Sequence, residues 1–282
     1  MAETAFQNAY RQEHVASFER RSSLLRDMCT KESEIKGSAA IFLVAGSGGA
    51  VASTRGTNGK IPGRGNDLTQ NTCTLVEYHD VVDMTGFNIF ASQGDQIRIA
   101  QEGTMAVINR RMDASVIAAV ETGTQYAGVA SAALTLDKVA HVLAILGNAN
   151  AGGANVAGAI SPAAYVDLLQ TEEFTNVNYV DKKVFATTND AVQARFAWAG
   201  IEWVVHSGLT GAETSTEKCL FWNKAAVGLG VDKGDGSKVE VGRDGRNDIS
   251  WTRASTFIGA KLLQNAGVVI FRHAGDGYAA TA

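Results

Sequence analysis

The stretch that decides the fold is QGDQIRIAQEGTMAVINRRMDASVIAAVETG, residues 93–123. Its apolar and charged residues fall on two different sides of a helix, and the charged side includes Arg98, Glu102 and Asp113. The spacing predicts one helix over Gln93–Thr122, roughly 45 Å long at about 1.5 Å per residue, and we expect this helix to act as a spine for the fold. Small and apolar side chains recur in it three or four residues apart, as on one face of an α-helix, namely Ile97, Ala100, Thr104, Ile108, Met112, Val116 and Ala119.

A glycine-rich run, LVAGSGGAVASTRGTNGKIPGRGND, precedes the spine at residues 43–67. The segment AAIFLVA leads into it, and TCTLVEYHDVV follows it with the alternation of a strand that has two unlike faces. Two strands joined by a long, glycine-rich tip predict an extended β-hairpin. FNIFAS, shortly before the spine, is a further β-type run.

The same glycines raise the question of a phosphate-binding loop. A P-loop requires GxxxxGK followed by Ser or Thr, because backbone amides surround the phosphates and the hydroxyl binds magnesium. Here Gly59 and Lys60 are followed by Ile61, and Thr54 stands where the first glycine should be. AGSGGA also lacks the helix that would receive a pyrophosphate. We therefore predict no cofactor, and a nucleotide-binding enzyme using Gly46–Gly65 remains the alternative of lower rank.

Composition narrows the function classes. The 282 residues are 45% hydrophobic and 19% charged, with a net charge of −4, which predicts a sizeable core and no overall positive field to attract nucleic acid. The three cysteines form no CxxC pair, so neither a disulfide framework nor a zinc knuckle is indicated. No segment reaches the ~18 apolar residues of a membrane span, and we expect an intracellular origin.

No set of residues predicts catalysis. Glu77, His79 and Asp83 could share a strand face and hold a metal, although a solvated face is the favoured interpretation. We expect His141 to be packed within a helix rather than to act as a base. The arginine pairs are interpreted as surface or interface ion pairs and the four tryptophans as core or interface anchors; they are Arg20–Arg21, Arg110–Arg111, Arg243, Arg246, Trp198, Trp203, Trp222 and Trp251.

The remaining segments complete an α+β pattern. A sparse helical pattern over Ala5–Glu34 predicts an arm that lies on other parts of the molecule. Thr135 and Ser161 are expected to cap two helices, the second with Pro162 at its first position. ARFAWAGIEWVVHSGL reads as strand and CLFWNKAAVGLGV as strand running into helix. The last part reads as a strand, a turn, an amphipathic segment through Leu263 and the buried strand GVVIFRH, and AGDGYAATA is expected to fray.

This order of parts resembles the major capsid proteins of tailed bacteriophages with the Hong Kong 97 type fold, which encapsulins share. The matching stretches extend over nearly the whole chain. They are FQNAYRQEHVASFERRSSLLRDMCT, GKIPGRGNDLTQNTCTLVEYHD, GTMAVINRRMDASVIAAV, SPAAYVDLLQTEEFTNVNYV, CLFWNKAAVGLGV and GAKLLQNAGVVIF.

The resemblance implies a capsid subunit divided into five segments. It also implies that the chain is not an enzyme but a structural protein that forms pentamers and hexamers of an icosahedral head around double-stranded DNA. An encapsulin-like compartment is the alternative with the same fold. The segments are an N-terminal arm over 1–36, an extended loop over 37–91, a peripheral domain with the spine helix over 92–134, an axial domain over 135–231 and peripheral return strands with the C-terminus over 232–282.

Partners and contact residues follow from the resemblance. We expect a homo-oligomer that encloses DNA without sequence-specific binding and without a membrane, with possible portal and cement proteins and a separate scaffolding chain. Its location would be the virion, after assembly in the host cytoplasm. Arg55, Lys60 and Arg64 at the hairpin tip are predicted to meet acidic residues of a neighbouring subunit. Lys60 and Asn247 have the chemistry of a covalent cross-link, but no motif identifies them as a pair.

Overall fold

The computed structural model describes residues 21–278 except 33–34, 36, 48, 66, 92–94, 129, 154, 176–194 and 232–237. The described helices are α1 (Gly86–Ala91), α2 (Gln96–Val120), α3 (Leu136–Asn148), α4 (Pro162–Leu169) and α5 (Glu172–Thr175). The strands are β1 (Thr30–Glu32), β2 (Ala39–Gly46), β3 (Asp67–Thr74), β4 (Val76–Thr85), β5 (Val156–Ile160), β6 (Arg195–Trp198), β7 (Ile201–Val205), β8 (Glu217–Asn223), β9 (Val227–Val231), β10 (Lys238–Asp244), β11 (Ile249–Leu262) and β12 (Val268–His273).

The predicted spine helix is confirmed as α2, which has 25 residues and is therefore about 37 Å long. Asp95 caps it, because the carboxylate accepts a hydrogen bond from the amide of Arg98 at 3.1 Å. Its buried side includes Ile108, Met112 and Val116, and the last two share a core cluster with Leu229 of β9 and Ile258 of β11. The helix begins three residues later than the predicted Gln93 and ends two before Thr122.

The first sheet has five strands in the order β1-β9-β11-β10, with β4 also paired to β11. β11 is 14 residues long and pairs with β10, β4 and β9. Alternate residues of β11, among them Ala254 and Ile258, are buried, because successive side chains of a strand point to opposite faces. The spine helix packs against this strand.

The second sheet has the order β12-β8-β5-β7-β6. The pairing of β5 with β7 is parallel, and the other pairings are antiparallel. Trp203 stacks on Phe196 with ring centroids 5.8 Å apart and meets the edge of Phe221 at 5.4 Å. This sheet and helices α3 and α4 form a second core. Aromatic contacts of this kind stabilise a core beyond the burial of their apolar surface.

The predicted hairpin is confirmed as the antiparallel pair β2 and β3, in register from Ala39 opposite Thr74 to Gly46 opposite Asp67. Its inner face carries Ala40, Phe42 and Cys73, which form a small third core. Phe42 packs on Gly228 of β9, where a Cβ atom would come 2.8 Å from the phenyl ring. The absence of a side chain at residue 228 therefore allows the hairpin to lie on the first sheet.

Several local predictions are wrong. In the described part of Ala5–Glu34, Arg26–Met28 is a 3-10 turn and Thr30–Glu32 is strand β1. FNIFAS lies largely in helix α1, and CLFWNKAAVGLGV forms two strands around the 3-10 turn Lys224–Ala226. These segments mix residues that favour strands with residues that favour helices. Their packing partners therefore decide which of the two structures forms.

The strand predicted over TCTLVEYHDVV divides at Leu75, so that β3 belongs to the hairpin and β4 to the first sheet. The amphipathic segment through Leu263 is strand β11. Ser161 caps α4 as predicted, since its Oγ accepts from the amide of Ala164 at 3.0 Å, whereas Thr135 makes no side-chain cap bond to α3. His141 is exposed rather than packed.

The five-segment division stays a prediction, and strand pairing crosses its boundaries in several places, including the pairing of β1 in the predicted arm with β9. β4 lies within the predicted loop 37–91 but pairs with β11. β9 lies within the predicted axial segment but belongs to the first sheet, and β12 lies within the predicted return segment but belongs to the second. Among the described helices, none is both long and apolar enough to cross a membrane.

Candidate functional site

The three predicted contact residues all lie on the exposed segment between β2 and β3. Arg55 and Lys60 flank a turn in which the amide of Gly56 donates to the carbonyl of Lys60 at 3.0 Å. The Arg64 guanidinium donates to the carbonyl of Ser47 at 2.8 Å. That bond joins the two sides of the tip, so the structure brings the three cations to one end of the hairpin.

The outer face of the hairpin exposes apolar side chains along β2, which the sequence pattern was not taken to indicate. Cross-strand partners share a face, and Ile41 and Leu43 of β2 lie opposite Thr72 and Gln70 of β3. Leu43 is 70% exposed. The alternation of AAIFLVA could have indicated two faces, of which one packs in the third core through Ala40 and Phe42.

The glycine-rich run has the surroundings of neither a P-loop nor a dinucleotide-binding loop. β2 ends at Gly46, and the next regular element is strand β3, beginning at Asp67. A phosphate site of this kind uses the backbone amides at the start of a helix that follows the loop. The described residues of the run lead from strand to strand and provide no such helix start.

The spine helix carries a buried acidic anchor, Asp113. Its carboxylate accepts hydrogen bonds from Ser23 Oγ at 2.6 Å and from the amides of Leu24 and Leu25 at 3.2 and 3.1 Å. His206, after β7, approaches with Nε2 at 3.4 Å from Oδ2. One buried carboxylate therefore joins the N-terminal segment, the spine and the second sheet.

The hydrogen bonds define the ionic state of this anchor. His206 Nδ1 accepts from the amide of Gly208 at 3.0 Å, so its proton lies on Nε2, which faces Asp113. Burial alone would raise the pKa of Asp113, but the bonds from His206, Ser23, Leu24 and Leu25 together hold that pKa below its usual value. The sequence reading placed Asp113 on the charged outer side of the helix, and that placement is wrong.

A second buried anchor is centred on His273, the last residue of β12. Its Nδ1 lies 3.2 Å from Glu217 Oε2, and its Nε2 lies 2.8 Å from Asp167 Oδ2. Asp167 also accepts from Tyr278 Oη at 2.6 Å and from the amide of Leu134 at 3.0 Å. The segment through Tyr278, expected to fray, is thus held on helix α4.

Both ring nitrogens of His273 face carboxylate oxygens, so both are donors in an imidazolium ion. Burial alone would lower the pKa of His273, but Glu217 and Asp167 raise it above its usual value. Burial alone would raise the pKa of Asp167, and hydrogen bonds from Tyr278, His273 and Leu134 lower it instead. The anchor is therefore a buried ionic network within the second core.

The exposed strand face around His79 does not form a metal site. Glu77 Oε1 lies 2.8 Å from His79 Nε2, and His79 Nδ1 lies 2.8 Å from Ser255 Oγ. No group of three histidine, cysteine, aspartate or glutamate side chains among the described residues could hold a metal ion. The favoured interpretation of a solvated face agrees with the exposure of His79.

The cysteines are buried thiols rather than activated nucleophiles. Burial raises the pKa of Cys29 to about 12 and raises the pKa values of Cys73 and Cys219. A reactive cysteine requires a lowered pKa, so these thiols serve packing.

Two of the arginines predicted to form surface or interface ion pairs do so. Arg21 pairs with Glu102 at 3.2 Å and Arg243 with Asp248 at 2.7 Å. Trp198, Trp203 and Trp222 are core residues as predicted. Trp251 of β11 is half-buried. The guanidinium carbon of Arg253 lies 5.6 Å from the centre of the Trp251 ring.

Solved structures of phage capsids share this fold. A structure from Mycobacterium phage Che8 is 16% identical, with a TM-score of 0.74 and coverage of 96% of this chain and 98% of that chain. The capsid structure of cyanophage P-SCSP1u is 16% identical, with a TM-score of 0.69 and coverage of 96% and 93%. The capsid asymmetric unit of cyanophage Pam1 is 11% identical, with a TM-score of 0.69 and coverage of 98% of both chains. No curated protein matches the chain significantly.

The hairpin, the spine helix and the two sheets define a shell-forming structural subunit of the Hong Kong 97 type. The model of the phage capsid protein family matches residues 2–274, nearly the full length. The chain belongs to the phage capsid protein family. It is a structural protein of the virion capsid and not an enzyme, and it assembles with other copies into a phage head.

Proposed function

We propose that this chain is the subunit of pentamers and hexamers in an icosahedral head that encloses double-stranded DNA. The observation that carries the proposal is the hairpin, which presents the exposed apolar side chains of Ile41 and Leu43 and three exposed cations at its tip. An apolar face such as that of Ile41 and Leu43 is typical of a protein–protein interface. Repeated subunits in a closed shell would supply the partner.

The tip residues support a contact with a neighbour of opposite charge. Arg55, Lys60 and Arg64 concentrate positive charge on a chain whose net charge is −4. Opposite charges at the edge of an interface guide orientation and register more than they add affinity. We propose that these residues meet acidic side chains of an adjacent subunit, while the apolar face supplies most of the buried area.

The five-segment division and the remaining partners belong to the same proposal. Residues 1–36 would form the arm, 37–91 the extended loop, 92–134 and 232–282 the peripheral domain, and 135–231 the axial domain. The mild net acidity supports a container that does not grip its DNA, because a strongly basic lining would bind phosphates in a salt-dependent manner. Assembly would occur in the host cytoplasm, with a separate scaffolding chain, portal and cement proteins as further partners.

The test is assembly of the purified full chain. Sedimentation velocity and negative-stain microscopy should show rings or closed shells with five-fold and six-fold units. A monomer that forms no rings, shells or sheets under any assembly condition would contradict the proposal. Shells that carry one specific protein cargo in place of DNA after expression from the complete phage genome would favour the encapsulin-like alternative.

A further inference from the structure

A cavity of about 340 Å³ lies beside the first turn of α4 and the segment between β7 and β8. Its apolar wall includes Pro162, Val166 and Ala212, which would suit an aliphatic chain. The polar side of the cavity includes two residues with carboxylates, Glu213 and Glu217. The lining residues are Ser161, Pro162, Ala163, Val166, Ser207, Ala212, Glu213, Glu217 and Tyr278.

Glu217 provides an unused acceptor at this cavity. The residue is fully buried, and its Oε2 is 3.2 Å from His273 Nδ1. Its Oε1 is also buried and has no hydrogen-bond partner among the described residues. A buried carboxylate oxygen without a donor is destabilising, so a ligand that donates a hydrogen bond here would gain more than at an exposed carboxylate.

The charge around the cavity specifies the kind of donor. Glu213, Glu217 and Asp167 are three carboxylates, and among the described residues His273 is the cation that pairs with Glu217 and Asp167. No lysine or arginine is among the residues that line the cavity. Since charges interact more strongly in a partly buried site than in water, a cationic donor fits better than a neutral one.

We propose that this cavity binds an aliphatic ammonium or guanidinium group. The methylene groups would lie on Pro162, Val166 and Ala212, and the cation would donate to Glu217 Oε1 with Glu213 nearby. The cation has two sources with the same chemistry: a free aliphatic amine, or a basic side chain of a second copy of this chain. The proposal does not depend on how the hairpin contacts its neighbour.

Isothermal titration of 1,4-diaminobutane into the full-length protein tests the proposal, in unassembled subunits and in shells at fixed ionic strength. We expect saturable binding of the diamine and none of the neutral 1,4-butanediol. Glu217→Gln should weaken binding at least tenfold, and Val166→Trp should abolish it by filling the cavity. Val107→Trp is the matched control, because Val107 and Val166 are both 37% exposed on helices, and it should bind normally.

The two sources give different results. Binding by subunits and shells alike indicates a free amine, and binding by subunits alone indicates a basic side chain supplied by the neighbour. If Glu217→Gln does not fold, Val166→Trp decides the question. Absence of saturable diamine binding in both states, equal binding of the diol, or undiminished binding by Val166→Trp would each overturn the proposal.

Discussion

His206 Nε2 lies 3.4 Å from Asp113 Oδ2 inside the protein, and both side chains are almost completely buried. The pair connects the end of β7 to the C-terminal half of the spine helix. Because Asp113 also accepts from Ser23, Leu24 and Leu25, the same carboxylate holds residues 23–25 against the spine helix.

Asp113→Asn should destabilise the subunit by about 2–3 kcal/mol, because hydrogen bonds to a buried charged acceptor are replaced by weaker ones. Thermal unfolding of unassembled protein measures this effect. Asp137→Asn is the control, since the Asp137 side chain is 84% exposed and its substitution should change stability by less than about 0.5 kcal/mol. Equal effects of the two substitutions would show that Asp113 is not an anchor.

His273 should make the stability of the subunit fall as the pH rises, because its pKa is raised in the folded state. A histidine whose folded-state pKa is raised contributes stability that is fully present below its unfolded-state pKa of about 6.5 and lost as pH rises through the folded-state value. We expect denaturant midpoints of the wild type to fall over that window. His273→Gln should be less stable at pH 6, by about 3–5 kcal/mol, and should lack this part of the pH dependence. His141→Gln, at an exposed site, should retain the wild-type profile.

Gly228→Ala should displace the hairpin from the first sheet. The new Cβ would lie 2.8 Å from the Phe42 ring, and overpacking of this kind costs roughly 1–3 kcal/mol. Hydrogen exchange of β2 and β3 amides should accelerate more than that of β5 or β8. Gly245→Ala is the control, because nothing lies within 4 Å of a Cβ built there. Unchanged exchange in the hairpin would contradict the packing argument.

The triple variant Arg55→Glu, Lys60→Glu and Arg64→Glu should impair assembly while the subunit stays folded, since all three side chains are exposed. Shell yield by sedimentation and secondary structure by circular dichroism are the two measurements. The charge-preserving variant Arg55→Lys, Lys60→Arg and Arg64→Lys should assemble normally. Normal shell formation by the glutamate variant would show that the hairpin tip does not contribute to the interface.

Leu43→Glu tests the apolar face independently of the tip. The subunit should keep its stability within about 0.5 kcal/mol, because Leu43 is 70% exposed. Assembly should fail, because a glutamate would be buried without a partner in the interface. Leu43→Met keeps the apolar surface and should assemble; failure of both variants would point to shape rather than polarity.

Local patterns predicted the spine helix and the hairpin because each is defined by periodicity within one continuous segment. They failed where long-range pairing decides. Leu75 divides a segment that looks like one continuous strand, because β3 before it pairs with β2 and β4 after it pairs with β11. β2 precedes this segment in the chain and β11 follows it. Helix α1 and strand β9 were likewise misassigned within segments of mixed propensity.

The buried anchors could not be predicted for the same reason. Ser23 and Asp113 are separated by 90 positions, and Asp167 and His273 by 106. A charged residue in a helix is ordinarily read as solvent-exposed, and only its distant donors make burial favourable. The exposed tip residues, in contrast, were placed correctly on the loop, although their role at an interface stays a prediction.

The three cysteines divide evenly among the three hydrophobic clusters: Cys29 beneath the spine, Cys219 in the second core and Cys73 under the hairpin. All three are buried. A thiol reagent can modify each one only after the surrounding region opens. The wild-type sequence therefore carries one chemical probe per region, and labelling rates followed by peptide mass spectrometry would show which part of the subunit loosens first while a shell forms or expands.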